Sequence, residues 1–157
     1  MTAQSDPNNL GDSGTMQVAN VRSQIAAAES SLLKAVARHN YPEAAAFAIR
    51  LALEESLANA FLHGHRGLPA ETAATVTYAV DAEFVDLTIE DQGPGFNPAN
   101  VPDPTADENI ELPSGRGLML MRSFMTEVRH EKNGARIVMR FSRAAAEAAA
   151  AADEIGS

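Results

Sequence analysis

The stretch ATVTYAVDAEFVDLTIED, residues 74–91, alternates apolar and polar side chains in two successive runs. The apolar positions in phase are Val76, Tyr78, Val80, Val85, Leu87 and Ile89. A period of two is typical of strands with one buried face, and the break around residues 81–82 predicts a β-hairpin. Because the phase of the second strand continues to Asp91, the sequence predicts a carboxylate at the end of the inward-facing apolar row.

Two segments with helical periodicity precede this hairpin. Ser23 suits the N-cap of a first helix that runs to about His39. Pro42 suits the first turn of a second helix, which is predicted to end near Gly64. A short strand within residues 15–21 is predicted ahead of both helices.

Composition divides the chain into one domain and two tails. Residues 1–14 are rich in Asn, Asp, Ser and Gly and predict a disordered tail, whereas 143–157 form an Ala-rich, low-complexity tail compatible with a helix. The domain between them spans residues 15–142. Within it, the Pro-rich and acidic stretch 92–114 is too long for an ordinary connection, so we predict a lid.

A second hairpin is predicted near the end of the domain, after a helix at 118–125. Asn133-Gly134 is a strong hairpin signal, and its register sets Glu131 opposite Arg136. The order strand, two helices, hairpin, lid, helix, hairpin predicts an α+β two-layer sandwich, with helices on one face of a mostly antiparallel, mixed sheet. The lack of a βαβα rhythm disfavours a Rossmann-type fold.

The overall composition argues against several classes of function. The chain has 157 residues, of which 45% are hydrophobic, enough for one domain with its own core. Its net charge of −9 argues against binding a nucleic-acid backbone. With no cysteine, neither a disulfide framework nor a Cys-type zinc site is expected. Because no secretory leader or membrane span is recognisable, we expect a cytoplasmic protein without nucleic-acid or membrane partners.

The second predicted helix carries three polar residues in the stretch EESLANAFLHGH, residues 54–65. Glu55, Asn59 and His63 follow one another at intervals of one turn and therefore share a face. An amide oxygen suits Mg²⁺, and a carboxylate one turn earlier suits a general base toward a hydroxyl that attacks a γ-phosphate. The alternative is a solvated stripe, and for His63 we favour a helix-end role in the field of the helix dipole.

The string DQGPGF, residues 91–96, follows the buried strand. Gly93 and Gly95 permit a close backbone approach to a flat ligand, while Asp91 can accept a hydrogen bond from an exocyclic amine. An Asx-type turn is the alternative interpretation of this string.

The string SGRGLML, residues 114–120, leads directly into a predicted helix. Gly115 and Gly117 would expose N–H groups at its N-terminus, where a phosphate group is favoured, and Arg116 could add a charge-assisted contact. A glycine-rich loop ending is the alternative interpretation.

In this order the three strings resemble the N box and the two glycine boxes of the GHKL (Bergerat-fold) ATP-binding superfamily, and more closely its anti-sigma-factor serine kinase branch. The resemblance spans residues 15–142 and implies ATP and Mg²⁺ as cofactors. It implies that Asn59 is the Mg²⁺ ligand, Glu55 the catalytic base and Asp91 the contact to the adenine amine. The implied nucleotide-loop glycines are Gly93, Gly95, Gly115 and Gly117.

The resemblance implies a Mg-ATP-dependent protein serine kinase that phosphorylates an anti-anti-sigma (STAS-type) protein and/or sequesters a sigma factor, with a homodimer as a further expectation. A catalytically silent module that binds ATP or ADP and works through nucleotide-dependent partner binding is the alternative. The catalytic half of a histidine kinase is disfavoured, because no membrane span and no acceptor-histidine hairpin are recognisable. An interaction domain without a nucleotide is the remaining hypothesis.

Overall fold

A computed structural model describes residues 12–93 and 121–156, with side chains up to residue 152. The strands are β1 Asp12–Val18, β2 Ala74–Val80, β3 Phe84–Glu90, β4 Glu127–Glu131 and β5 Arg136–Ser142. The helices are α1 Arg22–Arg38, α2 Glu43–Asn59 with a π-helical continuation Ala60–Gly64, and α3 Arg143–Gly156. A short helical stretch covers residues 121–124.

The strands form one five-stranded sheet in the order β1-β2-β3-β5-β4. Every neighbouring pair among these described strands is antiparallel, so the sheet is antiparallel here rather than mixed as predicted. The predicted hairpin at residues 74–91 is confirmed, because Val76 lies opposite Ile89 and Val80 opposite Val85. The α+β architecture is therefore confirmed.

The core lies between one face of the sheet and the helices α1 and α2. Leu32 of α1, together with Ile49 and Leu53 of α2, is fully buried in the same cluster as Leu87 and Met139 of the sheet. Removing one such side chain costs about 2–5 kcal/mol, because the transfer free energy is lost and a cavity is left. This packing fixes α2 on the sheet.

The opposite face of the sheet is lined with charged pairs. Arg140 donates two hydrogen bonds to Asp86 across neighbouring strands, at 2.7 and 3.0 Å, and its guanidinium lies 4.1 Å from the ring centre of Phe84. Lys132 donates to Glu90 at 2.8 Å. Successive residues of a strand point to opposite faces, so β3 and β5 alternate between residues buried in the core and partly exposed residues on this polar face.

The first strand and helix begin earlier than predicted. β1 starts at Asp12, within the predicted tail, and the Asp12 carboxylate accepts hydrogen bonds from Arg38 and His39 at the end of α1. α1 starts at Arg22 after an extended Val21, so Ser23 is not its N-cap. Likewise, Pro42 precedes α2 as its N-cap instead of lying in the first turn.

The loop between α1 and α2 is fastened to the β2–β3 turn by Arg143, the first residue of α3. Its guanidinium donates to the carbonyl oxygens of His39 at 2.6 Å and of Ala82 at 2.7 Å, and lies 4.0 Å from the ring centre of Tyr41. The Tyr41 hydroxyl donates to the Asp81 carbonyl at 2.8 Å. The predicted Ala-rich tail is helical and is anchored at its start.

The second predicted hairpin is confirmed, with Glu131 opposite Arg136. The connection spans residues 132–135, and within it Lys132, Asn133 and Gly134 all have positive φ. Within the described ranges, no helix is long and apolar enough to cross a membrane.

Candidate functional site

Glu55 and Asn59 lie along one margin of the buried face of α2. A helix turns by about 100° per residue, so both side chains flank the line of Ala52 and Ser56, which are fully buried. Glu55 and Asn59 are themselves only partly buried. Neither side chain forms a hydrogen bond or ion pair with a residue in 12–93 or 121–156. Both polar groups are thus placed at the edge of the core.

Ser56, between these two residues, is a buried polar group that the sequence interpretation did not single out. It is 2% exposed, and its hydroxyl donates toward the sulfur atoms of Met121 at 3.3 Å and Met139 at 3.5 Å. Sulfur is a weak acceptor, but these contacts give a buried donor a partner. They connect α2 both to the sheet and to the helical stretch at 121–124.

The C-terminal end of α2 packs directly against the segment that follows β3. A Cβ atom added to Gly64 would overlap the carboxylate of Asp91, and one added to Gly93 would overlap the carbonyl oxygen of Gly64. Both glycines are therefore required for this close approach. Gly64 was predicted only as a stop signal; the helix does end there, but the residue also contacts Asp91.

The inward orientation predicted for Asp91 is confirmed by its contact with Gly64. Its Oδ1 atom accepts a hydrogen bond from the Gly93 N–H at 2.8 Å, so the Asx-type turn of the alternative interpretation is present. The Asp91 N–H donates to the Ala135 carbonyl at 2.8 Å. Burial raises the pKa of the Asp91 carboxyl, and the Gly93 N–H partly opposes this increase. A carboxylate in such surroundings is stabilised by any further donor that reaches it.

His65 also contacts this segment, and the sequence interpretation did not single it out. It is 7% exposed, and its Nε2 atom accepts a hydrogen bond from the Gln92 N–H at 3.0 Å. Its ring lies 5.8 Å from that of Phe61. His63 lies within the π-helical turn; burial lowers its pKa, with a smaller contribution from Arg66.

The structure therefore brings α2 and the Asp91–Gly93 segment to one end of the sheet. Asn59 lies five residues and Glu55 nine residues before Gly64, so both are within about three helical turns of the contact with Asp91. The predicted lid 92–114 lies outside the described residues beyond Gly93, and so do Gly95, Gly115, Arg116 and Gly117. In the described parts of the chain, no cluster of three or more His, Asp or Glu residues could hold a metal ion.

Comparison with known proteins places the chain in a family. The model of the histidine kinase-like ATPase domain matches residues 17–141, which is more than half of the chain. The protein therefore belongs to the histidine kinase-like ATPase domain family, and it is an ATP-binding module of the GHKL type with an α+β fold. No curated protein matches the chain significantly.

Proposed function

We propose that this protein is a Mg-ATP-dependent protein serine kinase of the anti-sigma-factor type. Its substrate would be an anti-anti-sigma (STAS-type) protein, and sequestration of a sigma factor would be a second activity of the same module. The observation that carries the proposal is the placement of Glu55 and Asn59 on the helix whose end contacts Asp91. Family membership supports ATP as the bound nucleotide. The Glu55 carboxylate on that helix supports transfer of the γ-phosphoryl group.

The surroundings of Asp91 fit the adenine end of ATP. A partly buried carboxylate with a raised pKa favours a ligand that donates a hydrogen bond, and the exocyclic amine of adenine is such a donor. Gly64 and Gly93 carry no side chain that would cover this carboxylate. In the proposal, Asp91 therefore selects an amine-bearing base over one that presents a carbonyl at the same position.

Asn59 fits the metal end of the nucleotide. Mg²⁺ prefers oxygen ligands and usually takes few from the protein, with waters and phosphate oxygens completing the octahedron. An amide oxygen at the margin of the buried face, with no partner among the described residues, suits that role. The proposal assigns Asn59 as the protein ligand and the phosphate oxygens as the others.

Glu55, one turn before Asn59, is the proposed general base. Bound ATP supplies the γ-phosphoryl group, and the protein substrate supplies a serine hydroxyl. Glu55 would accept the proton of that hydroxyl while the serine oxygen bonds to the γ-phosphorus. The bond from that phosphorus to the β,γ-bridging oxygen would break at the same time, with ADP as the leaving group. Phosphoryl transfer depends mainly on positioning and charge neutralisation, so few side chains are required.

The proposal is tested by phosphate transfer from γ-labelled ATP, with Mg²⁺, to STAS-type proteins of the source cell. Wild-type protein should yield phosphoserine, and Glu55→Gln should slow the transfer by about 10²–10⁴-fold, the usual contribution of a general base. Glu54→Gln is the matched control, because Glu54 is the neighbouring carboxylate on the same helix and bonds to Arg50 at 3.2 Å. It should transfer phosphate at close to the wild-type rate.

Two results would contradict the kinase proposal. One is wild-type protein that binds Mg-ATP but labels none of these partners. The other is an equal loss of rate in Glu54→Gln and Glu55→Gln. Nucleotide-dependent complex formation that survives Glu55→Gln, without any phosphoserine, would instead identify the silent binding module.

A further inference from the structure

We propose that His65 is a positioning residue for the nucleotide site, because its imidazole holds the segment after β3 in the conformation that presents Asp91. The inference rests on the proposed nucleotide binding and adds to it a residue outside the predicted site. The contact that carries it is the hydrogen bond from the Gln92 N–H to His65 Nε2, at 3.0 Å.

Three consecutive backbone N–H groups hold this segment, each with a different acceptor. The N–H of Asp91 donates to the Ala135 carbonyl, that of Gln92 to His65, and that of Gly93 to the Asp91 carboxylate. The first acceptor belongs to the turn between β4 and β5, and the last belongs to the segment itself. His65 therefore supplies the hydrogen bond that connects the segment to the end of α2.

The chemistry of this hydrogen bond fixes the state of the imidazole. A backbone N–H can only donate, so Nε2 of His65 must be unprotonated and accept. The ring is consequently neutral, with its proton on Nδ1. A protonated ring would present N–H against N–H and break the contact.

His65 is itself held in place by its surroundings. Its main-chain N–H donates to the Ala60 carbonyl at 2.8 Å across the π-helical turn, and its ring contacts the ring of Phe61. Since only 7% of the residue is exposed, the imidazole has little freedom to turn away from Gln92. The widened turn thus aims one nitrogen at one amide, and π-helical turns are common at functional sites.

Two substitutions distinguish the role of His65 Nε2 as a hydrogen-bond acceptor from the role of its ring in packing. His65→Phe keeps a planar ring beside Phe61 but has no acceptor, whereas His65→Gln can place an amide oxygen close to the position of Nε2. In calorimetric titrations with Mg-ADP, we expect His65→Phe to weaken binding about tenfold, as for the loss of one hydrogen bond. His65→Gln should remain within about threefold of wild type. Thermal unfolding of each variant verifies that it is folded.

Two measurements without nucleotide test the contact itself. The ¹⁵N chemical shifts of the His65 ring should show the proton on Nδ1 in wild-type protein. The amide hydrogen of Gln92 should exchange about tenfold faster in His65→Phe than in wild type, and slowly again in His65→Gln. Rescue by glutamine is not expected if the ring serves only to fill space.

The outcomes distinguish the inference from the function on which it rests. Failure of wild-type protein to bind Mg-ADP would overturn the proposed function. A ring protonated on Nε2, or equal exchange of the Gln92 amide in wild type and His65→Phe, would overturn the role of His65. Mg-ADP binding by His65→Phe at wild-type affinity would do the same.

Discussion

Replacing Gly64 by alanine should weaken Mg-ADP binding strongly and lower the free energy of unfolding only modestly. A Cβ atom at this position would lie 2.8 Å from the Cβ of Asp91 and would overlap its carboxylate. Carbon atoms in contact prefer about 3.5–4.0 Å, so the Asp91 side chain must move by roughly 1 Å. Overpacking of this kind costs about 1–3 kcal/mol. Alanine recovers about 0.5–1 kcal/mol of that as the better helix former, so the net loss of stability is modest.

The effect on nucleotide binding should be much larger than this loss. In the proposed site, Asp91 accepts a hydrogen bond from the adenine amine. A hydrogen bond to a charged carboxylate contributes about 1.5–3 kcal/mol, and displacement of Asp91 would remove it. We therefore expect Mg-ADP affinity to fall between about 10-fold and about 150-fold in Gly64→Ala. The substitution leaves the carboxylate in the chain, so the result reports on its position and not on its presence.

Gly67 offers a matched control three residues further along. Its φ is +82°, and no atom lies within 4 Å of a Cβ placed there. Gly67→Ala should therefore lose about 1–2 kcal/mol through backbone strain alone and keep wild-type affinity for Mg-ADP. Urea unfolding gives the stability, and calorimetric titration gives the affinity. Wild-type affinity of folded Gly64→Ala for Mg-ADP, or an equal loss of affinity in Gly67→Ala and Gly64→Ala, would refute the role of the Gly64–Asp91 contact.

Two further predictions concern pH and the opposite end of the sheet. Burial raises the pKa of Asp91 in the folded state. Its contribution to folding stability is therefore complete below the unfolded-state pKa and is lost as pH rises through the folded-state pKa. The stability of Asp91→Asn relative to wild type, from urea unfolding without nucleotide, should increase with pH, and a decrease would contradict this. Arg143→Ala removes hydrogen bonds to the carbonyls of His39 and Ala82 and should lower the free energy of unfolding by about 1–3 kcal/mol. Its Mg-ADP affinity should be unchanged, because the Arg143 N–H bonds to Glu83, eight residues or about 26 Å of strand before Asp91. A tenfold loss of affinity would refute this separation.

Local periodicity was sufficient to predict most of the fold. Alternation through Val85, Leu87 and Ile89 placed β3 and the orientation of Asp91, because side-chain period is a property of the strand itself. Capping was less predictable. Because α1 begins directly after Val21, Ser23 lies inside the helix. The side chain that bonds to the backbone ahead of the helix is that of Gln24, which accepts a hydrogen bond from the Ala19 N–H at 2.8 Å.

Contacts between distant residues account for what the sequence did not reveal about the site. Glu55 and Asn59 could be selected from their spacing on one helix. Gly64 is required because the Asp91 carboxylate, from the segment after β3, packs against it. From the sequence alone, a glycine at the end of a helix indicates only that the helix stops there. His65 has its partner 27 residues away, and no spacing rule connects an imidazole to a backbone amide at that separation.

In the proposed function, ATP and ADP bind where the end of α2 meets the segment after β3. The most direct test is a ¹⁵N-correlation NMR titration of the full chain with Mg-ADP. The predicted result is saturable shifts at the amides of Asn59, Gly64 and Gly93, with the signals of Tyr41 and Arg143 unchanged. Shifts centred on Tyr41 and Arg143, or no saturable shift at any amide, would contradict it.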